Sequence, residues 1–410
     1  MRPVLALVLA LLVARASSAQ DLFSVDTGAI GISGSGNDIV QLIDDLINQT
    51  GDFTGLAPET SYTGTLEYAG VPNALALSLN LANSAMPILS LTIPSVGTSE
   101  IFNGTSLTDL EDQIEDWIKH SASGTWAEFL EAMNGLSALT LLDGNPRAST
   151  ALLANSAYRR FGLNDSHSRL GYMEQEVTRF GTFGITLEVG AGSASTNQFS
   201  GLDTIDGSLE ISGEFNDTVG LAFSIISQYR DYNTAELYDV GVELGLPIRL
   251  RRPVEGKNLY WGITPVLQAG AGLSPDFAAG GLFVGGGLVN SMALQLGIFE
   301  IGMANELIYY GGIPINDIKG YDFDTELDQL ITKNGLRIAL RPIGLFYAEG
   351  GVSITNFLLD HAALDYYVTP FAGAGLRLGR YLELRASYEA DLGKQGYRGQ
   401  RARLELGAYF

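Results

Sequence analysis

The last ten residues, Arg401–Phe410, read RARLELGAYF. Ala402, Leu404, Leu406, Ala408 and Phe410 alternate with Arg401, Arg403, Glu405, Gly407 and Tyr409. A period of two belongs to a strand with one apolar and one polar face. The same texture runs backwards through the chain. YLELRASYEADL sets Leu382, Leu384, Ala386, Tyr388, Ala390 and Leu392 against Glu383, Arg385, Ser387, Glu389 and Asp391. YDVGVELGLPIRL sets Val240, Val242, Leu244, Leu246, Ile248 and Leu250 against Asp239, Gly241, Glu243, Gly245, Pro247 and Arg249.

Soluble sandwiches also alternate, with the apolar face inward. Here the segments run for roughly 10–15 residues, where soluble strands average about five or six. The polar face is charged along its whole length, and short connections alternate with long ones. The pattern predicts an all-β fold, an antiparallel transmembrane β-barrel. Twelve segments qualify as strands: 182–192, 205–213, 217–228, 235–250, 258–272, 278–296, 299–311, 334–342, 344–355, 365–378, 381–391 and 398–410. Residues 170–179 and the alternating stretch 61–95 would add two to four more. Because single-chain bacterial barrels favour even numbers, the expectation is about 14 strands, within a range of 12–16. The loops near 193–204, 229–234, 273–277, 312–333, 356–364 and 392–397 then face outward.

A terminal strand with alternate apolar residues and a final Phe resembles the assembly signal of bacterial outer-membrane barrels, with Leu404, Leu406 and Phe410 in the signal positions. Ala408 departs from the aromatic common at that place, and Tyr409 stands beside it. The resemblance implies a Gram-negative outer membrane, contact with its lipid, and recognition of the last strand by the barrel-assembly machinery. An acidic helical insert ahead of a barrel also weakly resembles the fatty-acid-transporter and conjugal-transfer-protein superfamily.

The rest of the chain divides around this barrel. MRPVLALVLALLVARASSA has a basic start, an apolar run and a small-residue end, so residues 1–19 read as a secretory signal peptide. Residues 20–165 form an acidic mixed α/β region, with 18 Asp and Glu against four Lys and Arg. Residues 166–410 are the barrel. In the first region NDIVQLIDDLIN places Ile39, Ile43, Leu46 and Ile47 on one helical face behind Asn37 as N-cap. TDLEDQIEDWIKH offers a capping box of Thr108 and Glu111, and TWAEFLEAMNGL one of Thr125 and Glu128. DGNPRASTALLANSAYRRFG offers Asn145 as cap, Pro146 at the first helical position and Gly162 as the stop. The three helices at 102–165 read as one compact insert, either plugging the lumen or lying at its periplasmic mouth.

With no cysteine in 410 residues, disulfides and thiolate metal sites are excluded. A net charge of −22 disfavours nucleic acid as a partner. The three histidines, His120, His167 and His361, stand at no metal-ligand spacing. Ser166 and His167 are adjacent, so on a strand they point to opposite faces and form no nucleophile–base pair. Asp322, Asp324, Glu326 and Asp328 read as a solvated acidic loop, since no EF-hand spacing is present. No cofactor is called for, and no catalytic constellation argues for an enzyme. The functional expectation is passive or gated passage of small solutes, apolar ones included, with a structural or surface-adhesion barrel as the alternative. Glu243, Arg249, Glu383, Arg385, Glu389, Arg401, Arg403 and Glu405 are the expected lumen-facing residues. If the last two strands form a hairpin, like charges should not face each other. That favours a register in which paired numbers sum to 790, setting Arg385 opposite Glu405 and Glu389 opposite Arg401; a sum of 792 is the next choice.

Overall fold

A computed structural model of the chain describes residues 23–27, 32–36, 39–54, 61–83, 86–119, 125–137, 146–164, 183–197, 199–216, 218–232, 235–251, 259–274, 279–318, 321–323, 327–343, 345–359, 362–378 and 381–410. The expected signal peptide, the stretch 170–179 and all three histidines lie outside the described residues.

Alternation decides the larger sheet. Strands β7 (Phe183–Ser195), β8 (Ser200–Glu214), β9 (Gly220–Tyr232), β10 (Ala235–Gly245), β12 (Leu259–Ser274), β13 (Ala279–Leu296), β14 (Phe299–Ile313), β17 (Asp328–Ile343), β18 (Phe346–Phe357), β19 (Tyr366–Leu378), β20 (Leu382–Gly393) and β21 (Arg398–Tyr409) pair antiparallel, each with its neighbour. β21 returns to β7, and β10 pairs with β12, so the twelve strands close. β11 (Ile248–Arg251) is the continuation of β10 beyond Pro247, and it pairs with the lower part of β12. Pro247 has no N–H for the ladder. The neighbouring Leu246 N–H donates to Pro265 O at 3.0 Å and Gly220 N–H to Pro247 O at 2.9 Å, which carries the seam past the break.

Twelve is the lower end of the expected range. The stretch 61–95 does not add to the barrel. It supplies β3 (Ser61–Tyr68), β4 (Val71–Asn80) and β5 (Ile88–Ile93) of a separate six-stranded sheet, with β1 (Phe23–Asp26), β2 (Ser33–Gly36) and β6 (Thr98–Asn103) in the order β2-β1-β3-β4-β5-β6. Its strands of four to ten residues have soluble-sheet lengths. Helices α1 (Ile39–Asn48), α2 (Leu107–Lys119) and α3 (Thr125–Leu136) share its core. Leu42, Ile43, Leu46 and Ile47 come from α1, Leu110, Ile114 and Ile118 from α2, and Trp126, Phe129 and Met133 from α3. The cap of α2 is Ser106, whose hydroxyl accepts from Asp109 N–H, while Asp109 accepts from Thr105. Thr108 and Glu111 lie inside the helix instead, because Ser106 reaches a free N–H two residues earlier. The Thr125 hydroxyl is taken up by Glu100 and by the Trp117 indole.

The barrel's outer surface is apolar. Val189, Ile205, Val240, Leu267, Leu288, Leu336 and Leu406 are all exposed. Leu382 and Leu404 also face out. Exposed Phe183, Phe215, Phe299, Phe346, Tyr381 and Phe410 ring the end carrying the C-terminus, and Tyr238, Tyr309 and Tyr366 stand near the other. From Phe299 to Tyr309 a tilted strand rises roughly 25 Å, the height of a hydrocarbon belt between aromatic girdles. Among the described residues no helix is long and apolar enough to cross a membrane. An Arg at Leu404, mid-belt, is expected to cost roughly 2–4 kcal/mol of barrel stability in lipid vesicles, measured by urea unfolding; an unchanged midpoint would place that face away from lipid.

Candidate lumenal site

A barrel of eight strands is filled by its own side chains, and one of sixteen leaves a channel. Twelve leave room for about one helix of 10–12 Å diameter. That helix is α4 (Ser149–Ala157), continued by a π-helical turn over Tyr158–Asn164. Here the three-helix insert separates: α2 and α3 belong to the N-terminal core, whereas α4 packs with barrel residues Ala222, Ile226, Val266, Phe283, Val289 and Ile308. STALLANSA is small or apolar on every side and buried on nearly every side, as a helix enclosed by other structure must be. Pro146 precedes the helix rather than opening it. Ser149 is the first helical residue, and its hydroxyl donates to Asp239.

Glycine makes the bed. A Cβ at Gly241 would lie 2.5 Å from Leu153, and one at Gly245 would collide with the Phe161 ring. Polar groups fix the height. Gln268 donates to Leu153 O at 2.9 Å, Ser291 to Gly162 O at 2.7 Å, and Arg147 to Gln400 O at 2.9 Å. Gly162, read from sequence as a stop, lies within the π turn and touches Ala304.

The charged side chains of the inner faces meet in layers around this helix. Nearest the loop-bearing end, Arg230 binds Asp239 at 2.9 Å and Arg147 faces Asp391 at 3.4 Å. Midway, Arg401 reaches Asp206 at 3.2 Å, and Arg403 reaches Glu389 at 2.6 Å, Asp206 at 3.4 Å and Glu188 at 3.4 Å. Arg159 grips both oxygens of Glu188. Arg160 bridges Glu243 at 3.2 Å and Glu210 at 3.4 Å. Towards the C-terminal end Arg337 binds Glu300 and Glu349, Arg385 binds Glu349 and Glu405, and Arg377 faces Glu383 at 3.5 Å. Arg249 pairs with Glu214 on the β8–β9 side.

The last hairpin adopts the 790 register, with Arg385 opposite Glu405 and Glu389 opposite Arg401. The close ion pairs do not all follow it. Glu389 turns to Arg403, one diagonal away, because Asp206 on β8 holds Arg401. On the far side of β21, Glu405 stands directly opposite Glu188. Like charges so placed repel. Here Arg159 of the helix lies on Glu188 and Arg385 on Glu405, so each carboxylate keeps its own cation. Sequence reading did not find Glu188, Asp206, Glu349 or the helix arginines. They contact the predicted residues only through closure and through the lumenal helix.

Exposed Leu404, Leu406 and Phe410 stand on the outer face of β21, and Phe183 N–H donates to Phe410 O at 3.1 Å, tying the terminal residue to the start of β7. Among the described residues no group of three or more acidic or histidine side chains could hold a metal. Side chains of Asp322, Asp324 and Glu326 lie outside the described residues. Arg403 is 5 % exposed and touches three carboxylates, so Arg403→Met is expected to cost about 3–5 kcal/mol, read as a lowered thermal or urea midpoint of the folded barrel. A loss below about 1 kcal/mol, the level of a surface pair, would contradict the buried network.

Neither a protein-family profile nor a curated protein matches the sequence. Among solved structures, the translocator domain of the autotransporter NalP from Neisseria meningitidis aligns over 64% of this chain and 98% of that one, at 14% identity and a TM-score of 0.41. The β domain of the Bordetella autotransporter BrkA aligns over 56% and 100%, at 15% identity and 0.42. A Pseudomonas aeruginosa FadL homologue aligns over 56% and 90%, at 10% identity and 0.33. Scores of this size carry no weight beside the strands themselves. A ladder closed on itself, apolar on its outer face and charged within, has the architecture of a transmembrane β-barrel.

Proposed function

We propose that this barrel anchors its own N-terminal domain at the outer face of the outer membrane, with the connecting helix stationed in the lumen. The observation that carries the reading is the path of the chain. The core of the N-terminal domain continues into Leu202, Tyr232, Leu237, Leu364 and Tyr397. These residues lie at the end of the barrel where β7, β9, β18 and β20 finish. The helix descends from that end, from Arg147 beside Asp391 to Phe161 beside Gly245. β7 then begins at the opposite end, where the tight connection at 297–298 and the end of β21 lie. Tight turns mark the periplasmic side of such barrels. The chain therefore starts outside, passes through the lumen and enters the wall from the periplasm.

Export by the 1–19 segment and delivery through Leu404, Leu406 and Phe410 to the assembly machinery complete this reading. The barrel is non-enzymatic in it. Passage of a small solute is the second reading, favoured by the polar inner faces, and it requires the helix to move. The charge density of the wall argues against an apolar solute.

Because the chain has no cysteine, an engineered pair reports position without background. Leu153→Cys with Gly241→Cys is expected to form a disulfide in the folded barrel, read as a mobility change that reductant reverses. The intact chain in planar bilayers is expected to be nearly silent. Failure of the pair to cross-link, or a large steady conductance, would remove the lumenal helix from the reading.

A further inference from the structure

The helix carries more than a plug needs. Arg160 is the one cation, among the described residues, in ion-pair contact with both Glu210 of β8 and Glu243 of β10. Glu243 is 1% exposed, and its second oxygen accepts from Gln268 at 2.6 Å. On β14, Glu306 is 3% exposed, and neither of its oxygens has a hydrogen-bond donor. Its register partner is Lys333, which instead donates to Asn155 of the helix and lies 4.9 Å above the Tyr158 ring. Two carboxylates from two strands thus share one guanidinium, and the third, Glu306, has no donor while its lysine is turned to the helix. A buried carboxylate without a donor or cation is costly.

We infer that Glu210, Glu243 and Glu306 form a cation-selecting station in the lumen, which Arg160 occupies while the helix is seated. The inference rests on the reading that the helix closes the lumen. When the helix leaves, Arg160 leaves with it, and the two carboxylates it spanned are filled by small cations or guanidinium-bearing groups. Acidic rings of this kind pass cations and exclude anions. Lys333, released from Asn155 and Tyr158, falls back towards Glu306 and moderates the station.

Two measurements test this in the full chain. In planar bilayers, Gly241→Leu with Gly245→Phe fills the bed of the helix and leaves the three carboxylates in place. The expected result is a raised conductance that favours potassium over chloride by about fivefold or more, as acidic rings do. Adding Glu210→Gln, Glu243→Gln and Glu306→Gln is expected to abolish that preference. Opening without cation preference, or a preference that survives the three substitutions, overturns the station. The second measurement does not depend on opening. Arg160→Ala leaves a guanidinium-sized vacancy, and millimolar methylguanidinium is expected to raise its thermal midpoint but not that of Arg160→Ala with Glu210→Gln and Glu243→Gln. Equal response of the two variants, or none in either, overturns the station. A bilayer that stays silent with the bed filled counts against the plug reading, and the methylguanidinium response then decides the station by itself.

Discussion

Lipid offers no hydrogen bonds, so every backbone N–H and C=O at membrane depth must find its partner within the chain. An open sheet cannot meet that demand, and here the seam between β10 and β12 does. Eight residues of β10, Tyr238–Gly245, pair with Leu273–Val266. The hardest point is Pro247, which cannot donate, and the chain answers it with a break, a short continuation at β11 and carbonyls used by neighbouring strands. All else in the barrel follows from that closure. It fixes which side of each strand meets lipid, and it brings β21 against β7, strands far apart in sequence.

Closure also creates a confined interior in which charges must be matched. The pairings found there are three-dimensional rather than pairwise. Arg403 serves Glu389 on its hairpin partner, Asp206 two strands away and Glu188 on the adjoining strand. The lumenal helix takes part in the matching: Arg159 relieves the Glu188–Glu405 opposition and Arg160 spans Glu210 and Glu243. Apolar contact of Leu153 and Phe161 with glycine, and the ion pairs of Arg159 and Arg160, together hold the helix at one height. Such a segment is held by shape and by charge together.

Much of this was legible in the sequence, and the reasons are specific. In the last hairpin, alternating charge is dense enough that like-charge repulsion selects a register, and Arg385 opposite Glu405 follows from it. The outer faces at Val240, Val242 and Leu244 are equally plain, because a lipid-facing strand has no freedom to place polar groups there. What was not legible depends on long-range closure. Nothing near Glu405 in the chain announces Glu188, and nothing near Arg401 announces Asp206. Residues 61–95 alternate as barrel strands do, but their length is that of a soluble sheet, and that difference is the available clue. From local signals alone, STALLANSA groups with its neighbours as one insert. Its missing polar face, unlike the acidic face of LTDLEDQIEDWIK, was the sign that it is enclosed on all sides. The helix starts at Ser149, behind Ala148 with no side-chain cap, and the Ser149 hydroxyl goes to Asp239 of the barrel wall, a partner nothing local in the sequence announces.

The orientation of the N-terminal domain is open to one direct measurement. Single cysteines at Ile101, exposed on the edge of the N-terminal sheet, and at Phe215, exposed in a turn beside the C-terminal end, report the two sides. Intact cells treated with a membrane-impermeant maleimide are expected to label Ile101→Cys fully and Phe215→Cys only after the outer membrane is opened. The reverse pattern would contradict a domain displayed outside on a strut through the barrel.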